Sequence, residues 1–161
     1  MVNKILSIEN AVEISKEFRA EGKKIVLAGG CFDILHIGHI HFLEEAKNAG
    51  DVLIVFVESD ETIKRIKGTN RPINTLEDRT EILAALQVVD YIIPLPPIPT
   101  DKEYDDLVIR LKPAIIATTR GDPARSHKER TAALVNAKVI DVAEAITNRS
   151  TTRLVTILNE I

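Results

Sequence analysis

Cysteine is almost absent from this chain, since Cys31 is the only one among 161 residues. One cysteine excludes an internal disulfide framework and favours a reducing compartment, so we expect a cytoplasmic location. Aromatic residues are also scarce, at 4% of the chain with no tryptophan. This scarcity argues against a ligand with a large flat ring, which binds best on an aromatic platform.

An excess of basic charge is missing as well. Lysine and arginine number 21 against 24 aspartates and glutamates, which gives a formal net charge of -3. Proteins that bind nucleic acid usually carry a strong basic excess, so we expect no nucleic-acid partner. No apolar run approaches the length of a membrane span, and we expect no membrane partner. The length and the 45% of hydrophobic residues fit one domain over residues 1–161 with a well-buried core.

Apolar runs alternate with amphipathic segments along the chain. The predicted strands are 24–28, 52–57, 90–95, 114–118 and 139–142. The predicted helices are 8–20, 40–48, 60–66, 76–87, 101–111 and a last one from Ser150 or Thr151 to Leu158. We interpret segment 119–130 as a basic loop. Because strands alternate with helices, we expect an α/β fold, with a Rossmann-like parallel sheet of about five strands flanked by helices in a single domain.

The stretch 29–39 lies between the first predicted strand and the helix that follows it. Its two leading glycines leave backbone N–H groups open, and the helix N-terminus behind them favours anions. His36 and His39 are three residues apart and share one face of the first turn, and Gly38 leaves room for a ligand between them. Ligands of parallel sheets bind beyond the carboxyl ends of the strands. The stretch therefore predicts a phosphate site.

Two other interpretations of this stretch are open. The glycine pair is compatible with an ordinary turn, and a single helical histidine with a surface or core residue. His36, His39 and His41 could also bind zinc together with Cys31, but structural zinc sites usually join arms from separate segments. His41 should also face away from the other two histidines. We expect no protein metal ligand here.

Later crossovers supply further candidates. Lys67 follows the short helix after the second strand, and Arg79 lies in the next helix. Gly121-Asp122 follows the fourth strand, and Ser150-Thr151-Thr152 opens the last helix, where hydroxyls and free N–H groups could hold a second phosphate. The basic residues of segment 119–130 could cover an anionic substrate; they are Arg120, Arg125, His127, Lys128 and Arg130. Each candidate also has an ordinary interpretation as a solvated charge, a turn or a helix cap.

Several short motifs occur in one order along nearly the whole chain. They are Gly30-Cys31-Phe32-Asp33, His36-Ile37-Gly38-His39, Ser59-Asp60, Lys67-Gly68, Arg71-Pro72-Ile73-Asn74, Glu77-Asp78-Arg79, Val89-Asp90, Gly121-Asp122 and Ser150-Thr151-Thr152. In this order they resemble the nucleotidylyltransferase superfamily, which includes the cytidylyltransferases. Within it, segment 19–74 is similar to the adenylyltransferase part of the ADP-heptose synthases.

The resemblance implies an enzyme that moves a nucleotidyl group from an NTP, with ATP favoured, to a phosphorylated sugar or polyol such as a heptose-1-phosphate, and releases pyrophosphate. It also implies Mg²⁺ with the NTP and a homodimer. The implied catalytic residues are His36, His39, Lys67 and Arg79. The implied nucleotide-binding residues are Gly29, Gly30, Cys31, Phe32, Asp33, His36, Gly38, His39, Gly121, Asp122, Ser150, Thr151 and Thr152. The implied substrate-binding residues are Asp33, Lys67, Arg71 and Arg79.

Two segments depart from the pattern of the sugar-specific enzymes. Residues 119–123 replace a Lys-Gly-Gly-Asp-Tyr-like stretch, and residues 146–149 replace a Glu-Gly-like turn. Both regions help to shape ligand sites in the family, so a glycerol-3-phosphate cytidylyltransferase and an FAD synthetase-like enzyme are alternatives. The alternative of another class is a nucleotide-binding regulatory module without turnover. The intact pair His36 and His39 argues against such a module, because binding alone does not need both.

Overall fold

The computed structural model describes residues 3–98, 100–144 and 151–159. The strands are β1 (Ile25–Gly30), β2 (Val52–Val57), β3 (Tyr91–Pro94), β4 (Ile115–Arg120) and β5 (Lys138–Glu144). The helices are α1 (Ile8–Ala20), α2 (Ile37–Asn48), α3 (Asp60–Lys67), α4 (Leu76–Ala84), α5 (Asp101–Leu111), α6 (Arg125–Val135) and α7 (Thr151–Asn159). The strands form one all-parallel sheet in the order β3-β2-β1-β4-β5. The predicted α/β fold, with about five parallel strands flanked by helices, is confirmed.

Helices cover both faces of the sheet. Every residue of β2 is buried, as expected for a parallel strand packed on both sides. Val26 and Ala28 of β1 pack with residues of α2 and α4 on one face, while Leu27 packs with α1, α5 and α6 on the other. This alternation follows from the two-residue period of a strand. Because β2, β1 and β4 are parallel neighbours in the sheet, their carboxyl ends lie side by side at one edge.

The glycine pair belongs to β1 rather than to the crossover. Gly29 pairs with Phe56 and Gly30 with Val57 in the parallel register. Helix α2 begins at Ile37, earlier than predicted, and His36 is its N-cap. The crossover is therefore only six residues long, from 31 to 36, and the two histidines occupy the N-cap position and the third position of the helix.

Segment 119–130 is not a basic loop, because α6 begins at Arg125. The sequence gives α6 only a weak apolar pattern, because its first residues are mostly charged and its buried residues, Thr131 and Ala132, have small side chains. Other boundaries move by a few residues: the N-cap of α3 is Ser59 rather than Asp60, and α4 ends at Ala84. Within the described ranges, no helix is long and apolar enough to cross a membrane.

Candidate active site

Two cavities meet at the carboxyl end of β1. The first, the histidine cavity, has a volume of about 260 Å³ and is lined by Gly29, Gly30, Cys31, Phe32, His36, Gly38, His39, Phe42, Thr119, Asp122, Lys128 and Glu144. The second, the tyrosine cavity, has a volume of about 470 Å³ and is lined by Gly29, Gly30, Cys31, Glu58, Thr62, Arg65, Ile66, Ile98, Thr100, Asp101, Tyr104, Asp122, Ala124, His127, Lys128, Arg130 and Thr131. Five residues line both cavities, so they adjoin at the glycine end of β1.

The two histidines cap α2 with their own rings. His36 Nδ1 accepts a hydrogen bond from Gly38 N at 3.1 Å, and His39 Nδ1 accepts one from His36 N at 3.4 Å. The rings stack with centroids 3.9 Å apart. Because both Nδ1 atoms act as acceptors, each neutral ring carries its proton on Nε2. The pair therefore presents two Nε2–H donors in a fixed geometry.

Both imidazoles are held in the neutral form. Burial lowers the pKa of His36. Burial, followed by the charges of His36 and Lys67, lowers the pKa of His39 to about 4. At neutral pH the histidines consequently act as uncharged hydrogen-bond donors, and their capping bonds stay intact. Donors fixed in this way suit the oxygens of a bound phosphate.

Phe32 shapes the turn that follows the glycines. Its backbone has a φ of 47°, which is the left-handed region, and its ring lies 5.3 Å from that of His39. A Cβ on Gly30 would lie 3.0 Å from the ring of Phe32, so a side chain there would push the ring away. Burial raises the pKa of the Cys31 thiol, which therefore lines the turn as a neutral group. The glycine end of β1 stays open to a ligand.

Asp33 holds the turn to the loop before α4. Its carboxylate accepts hydrogen bonds from Ile73 N and Asn74 N at 2.9 Å and from Arg71 Nε at 2.7 Å. Burial alone would raise the pKa of Asp33, but the Asn74 and Ile73 amides and the Arg71 guanidinium together hold it below its usual value. Asp33 and Arg71 are both buried. Asp33 and Arg71 thus bind each other inside the protein, and their predicted contact with nucleotide or substrate stays a prediction.

Arg79 lies in the protein interior and has no exposed surface. Its guanidinium donates to the carbonyl oxygens of Cys31, Glu58 and Asn74, and its Nη2 lies 2.8 Å from Asp60 Oδ1. These bonds join the ends of β1 and β2 to the loop before α4. Arg79 thus fixes the turn on which the site is built, and its predicted contact with substrate stays a prediction.

Lys67 is placed differently. It ends α3 with an exposed side chain, and its ammonium makes no hydrogen bond or ion pair to any residue that the structure describes. Its charge lowers the pKa of His39 and also acts on Cys31. Lys67 is thus an exposed cation that acts electrostatically on two residues of the histidine cavity, and its catalytic role stays a prediction.

The remaining predicted nucleotide-binding residues lie in two places, the turn after β4 and the start of α7. Asp122 lines both cavities and accepts from Lys128 Nζ at 2.6 Å and from Thr118 Oγ1 at 2.7 Å, after a turn that Gly121 makes with a φ of 77°. Burial opposes ionisation of Asp122, but Lys128, Thr118 and the Ala124 amide hold its pKa below the usual value.

The hydroxyls at the start of α7 are predicted to hold a phosphate, and the structure describes two of them. The Thr151 hydroxyl is buried and donates to the carbonyl oxygen of Ile34 at 3.1 Å, so it anchors α7 to the turn. Thr152 is exposed on α7. Ser150 lies outside the described residues.

The basic residues of segment 119–130 do not form a free cationic surface. Arg120 pairs with Glu144, Arg125 with Asp141, and Arg130 with Asp105. His127 lies 3.4 Å from Asp101. These groups pair locally, and their predicted contact with an anionic substrate stays a prediction. Lys128 is the member of the set that lines both cavities.

Sequence reasoning missed two polar residues of the tyrosine cavity, Glu58 and Tyr104. Glu58 directly follows β2, and a polar residue at the carboxyl end of a central parallel strand is a signal that could have been used. Tyr104 lies within α5, where its helical position gave no signal. Its ring packs edge-on against Phe56, with centroids 5.8 Å apart.

Comparisons with known proteins bear on this geometry. The family model described as cytidylyltransferase-like matches residues 27–155. The bifunctional protein HldE of Sulfurimonas denitrificans is 45% identical over 109 residues, which are 68% of this chain and 22% of that protein. The HldE protein of Wolinella succinogenes is 49% identical over 90 residues, which are 56% of this chain and 19% of that protein. The chain thus spans about a fifth of the length of these relatives.

Two solved structures are similar. The lipopolysaccharide core biosynthesis protein from Thermoplasma volcanium is 34% identical with a TM-score of 0.61, covering 77% of this chain and 99% of that one. A pantoate-beta-alanine ligase from Francisella tularensis is 19% identical with a TM-score of 0.63, covering 98% of this chain and 78% of that one, and shows the shared fold alone. The family match covers most of the chain and contains the glycine end of β1 and both histidines. The chain therefore belongs to the cytidylyltransferase-like family, whose enzymes transfer nucleotidyl groups.

Proposed function

We propose that the chain transfers an adenylyl group from ATP to the phosphate of a sugar or polyol phosphate, such as a heptose-1-phosphate, and releases pyrophosphate. The observation that supports it best is the pair of neutral histidines, whose Nε2–H donors lie on a cavity at the glycine end of β1. The similarity to HldE proteins favours a sugar phosphate acceptor.

The reaction needs no general base. An acceptor phosphate oxygen is already ionised at neutral pH, and it attacks the α-phosphorus of the NTP. A new P–O bond forms, and the bond from the α-phosphorus to the bridging oxygen breaks, with its electron pair leaving on pyrophosphate. The chain's task is to align the two phosphates and to stabilise the charge that grows on the oxygens.

Three groups of this chain fit that task. The Nε2–H donors of His36 and His39 bind phosphate oxygens without a change in protonation. Lys67 supplies an exposed cation that acts on His39, and Lys128, which is paired with Asp122, supplies an ammonium on the wall that both cavities share. Opposite charge placed where the leaving oxygens develop charge lowers the barrier.

Mg²⁺ is proposed to enter with the nucleotide, whose phosphates and bound water hold it, and it would neutralise pyrophosphate oxygens. The two carboxylates on the wall of the histidine cavity, Asp122 and Glu144, already have the cationic partners Lys128 and Arg120. Neither is free to bind the ion without giving up its partner. We also propose a cytoplasmic location, on the basis of the single cysteine.

The test is a pyrophosphate-release screen of the full chain with Mg²⁺, each of the common NTPs and a panel of phosphorylated acceptors. We expect release with ATP and a sugar or polyol phosphate. Preference for CTP with glycerol-3-phosphate would keep the reaction class and change the substrates. An NTP that raises the melting temperature but gives no pyrophosphate with any acceptor would support the regulatory module instead.

A further inference from the structure

The tyrosine cavity adjoins the histidine cavity at the glycine end of β1. If the nucleotide occupies the histidine cavity, as the proposed function requires, an acceptor phosphate must reach the shared wall from the other side. We propose that Glu58 and Tyr104 bind hydroxyl groups of the acceptor and so select a polyhydroxylated phosphate ester. This proposal rests on the proposed function and deepens it.

Glu58 is a carboxylate without a protein partner. It lies at the end of β2 and is largely withdrawn from solvent, and its side chain makes no hydrogen bond or ion pair to the residues that the structure describes. Burial raises its pKa, while the nearby cations Arg65 and Arg79 oppose that shift. A half-buried carboxylate without donors is unfavourable, and a ligand that brings donors removes the penalty.

Tyr104 provides the complementary group. Its hydroxyl lies 3.6 Å from the position that a Cβ on Gly29 would occupy, so it reaches the junction of the two cavities. The hydroxyl has no hydrogen-bond partner within the described part of the chain. Phe56 fixes the ring from the side. Tyr104 therefore offers one donor and one acceptor beside the carboxylate of Glu58, which acts electrostatically on it.

The charges of the cavity decide which chemical class fits. A phosphate group placed against Glu58 would be repelled, so the ester phosphate belongs at the shared wall near Lys128. An ammonium group would pair with Glu58, but Arg65 lines the same cavity, already acts electrostatically on Glu58 and opposes a further positive charge there. Neutral hydroxyls avoid both penalties, because they donate to the carboxylate and accept from the phenol.

The experiment compares acceptors that differ in hydroxyl content. Full-length chain with Mg²⁺ and each NTP is assayed with mannose-1-phosphate and glycerol-3-phosphate, with n-propyl phosphate, which lacks free hydroxyls, and with phosphoethanolamine. Glu58→Gln should lower kcat/KM for the hydroxylated acceptors roughly tenfold, mostly through KM, and leave propyl phosphate unchanged. Tyr104→Phe should lower it in the same selective way by a smaller factor.

The matched control is Glu61→Gln, which removes an exposed carboxylate one turn away on α3. This variant should leave kcat/KM unchanged for both the hydroxylated acceptors and propyl phosphate. The temperature shift that the NTP alone produces should be the same in all four proteins, which shows that the variants are folded and that the histidine cavity is intact.

Three results would overturn the proposal while the proposed function stands. They are a wild type that uses propyl phosphate as well as the hydroxylated acceptors, variants that lose both classes equally, and a preference for phosphoethanolamine that Glu58→Gln abolishes. Absence of pyrophosphate with every NTP and acceptor would instead overturn the proposed function and this inference with it.

Discussion

Replacement of Arg79 by methionine tests whether this arginine builds the site or contacts the ligand. Methionine keeps most of the side-chain volume and removes the guanidinium, so the change isolates the hydrogen bonds. Three partly buried carbonyl oxygens, those of Cys31, Glu58 and Asn74, then lose their donor. The carboxylate of Asp60 also loses a partner, but its side chain is 32% exposed and water can replace the bond.

The size of the effect follows from these losses. A buried acceptor left without a donor costs roughly 1–3 kcal/mol, and breaking a buried ion pair roughly 3–5 kcal/mol. We expect Arg79→Met to lower the free energy of unfolding by about 3–5 kcal/mol in total, because the effects overlap. A domain of this size is stable by about 5–15 kcal/mol, so the variant should fold but unfold at a urea concentration lower by ~2 M.

Urea unfolding followed by far-UV circular dichroism measures this change. The control is Arg110→Met, which removes an arginine whose side chain is 45% exposed and whose contact with Glu9 is 3.6 Å long. It should change the unfolding free energy by no more than about 0.5 kcal/mol. A change below about 1 kcal/mol for Arg79→Met, together with a lost response to NTP, would refute the structural role and restore direct ligand contact.

Three further outcomes are expected. His39→Ala should lower kcat by ~10²–10³-fold, because one preorganised donor is lost, while His41→Ala on the exposed side of α2 should leave kcat near that of the wild type. The pKa of His39 is about 4 in the folded protein, below its unfolded value, so the unfolded chain binds the extra proton as the pH falls. The free energy of unfolding should therefore fall as the pH drops from ~6.5 towards ~4. His39→Gln should flatten that slope. We propose that the chain is a homodimer, with exposed Ile66 and Ile73 as candidate contact residues; light scattering that shows a monomer at working concentration would contradict this.

The fold was accessible from the sequence because its signals are local and strong. The run of six apolar residues in β2 predicts a central strand, and the structure buries all six. Helix α6 was missed because its charged residues outnumber its small buried ones. The end of β1 at Gly30 differs from the predicted end because it depends on parallel pairing with β2, which is not local in sequence. The start of α2 at Ile37 differs because a histidine, an unusual N-cap, begins the helix.

The candidate site was only partly accessible, and the reason is physical. Sequence motifs predict which charged residues lie near one another. They do not show which of those side chains pair with other protein groups and which are left for a ligand. Arg71 Nε binds Asp33, although Arg71 Nη2 is buried without a partner among the described residues. Arg79 binds backbone carbonyls, so these motif residues face inward. Glu58 and Tyr104 belong to none of the motifs, yet they line a cavity, and their side chains make no hydrogen bond to any residue that the structure describes.

This division of polar groups has a consequence for how substrate choice can vary in such a site. The bonds of Asp33, Arg71 and Arg79 fix the glycine end of β1 and the turn to α2, so a change there destabilises the fold before it alters specificity. The side chain of Glu58 makes no comparable bonds with residues of the described ranges, so its replacement removes no partner from them. Its position can therefore change with little effect on stability while the set of hydrogen-bond donors that the cavity accepts changes with it. Substrate differences between proteins with this arrangement of histidines should accordingly depend on the residues after β2 and within α5, rather than on the turn between β1 and α2.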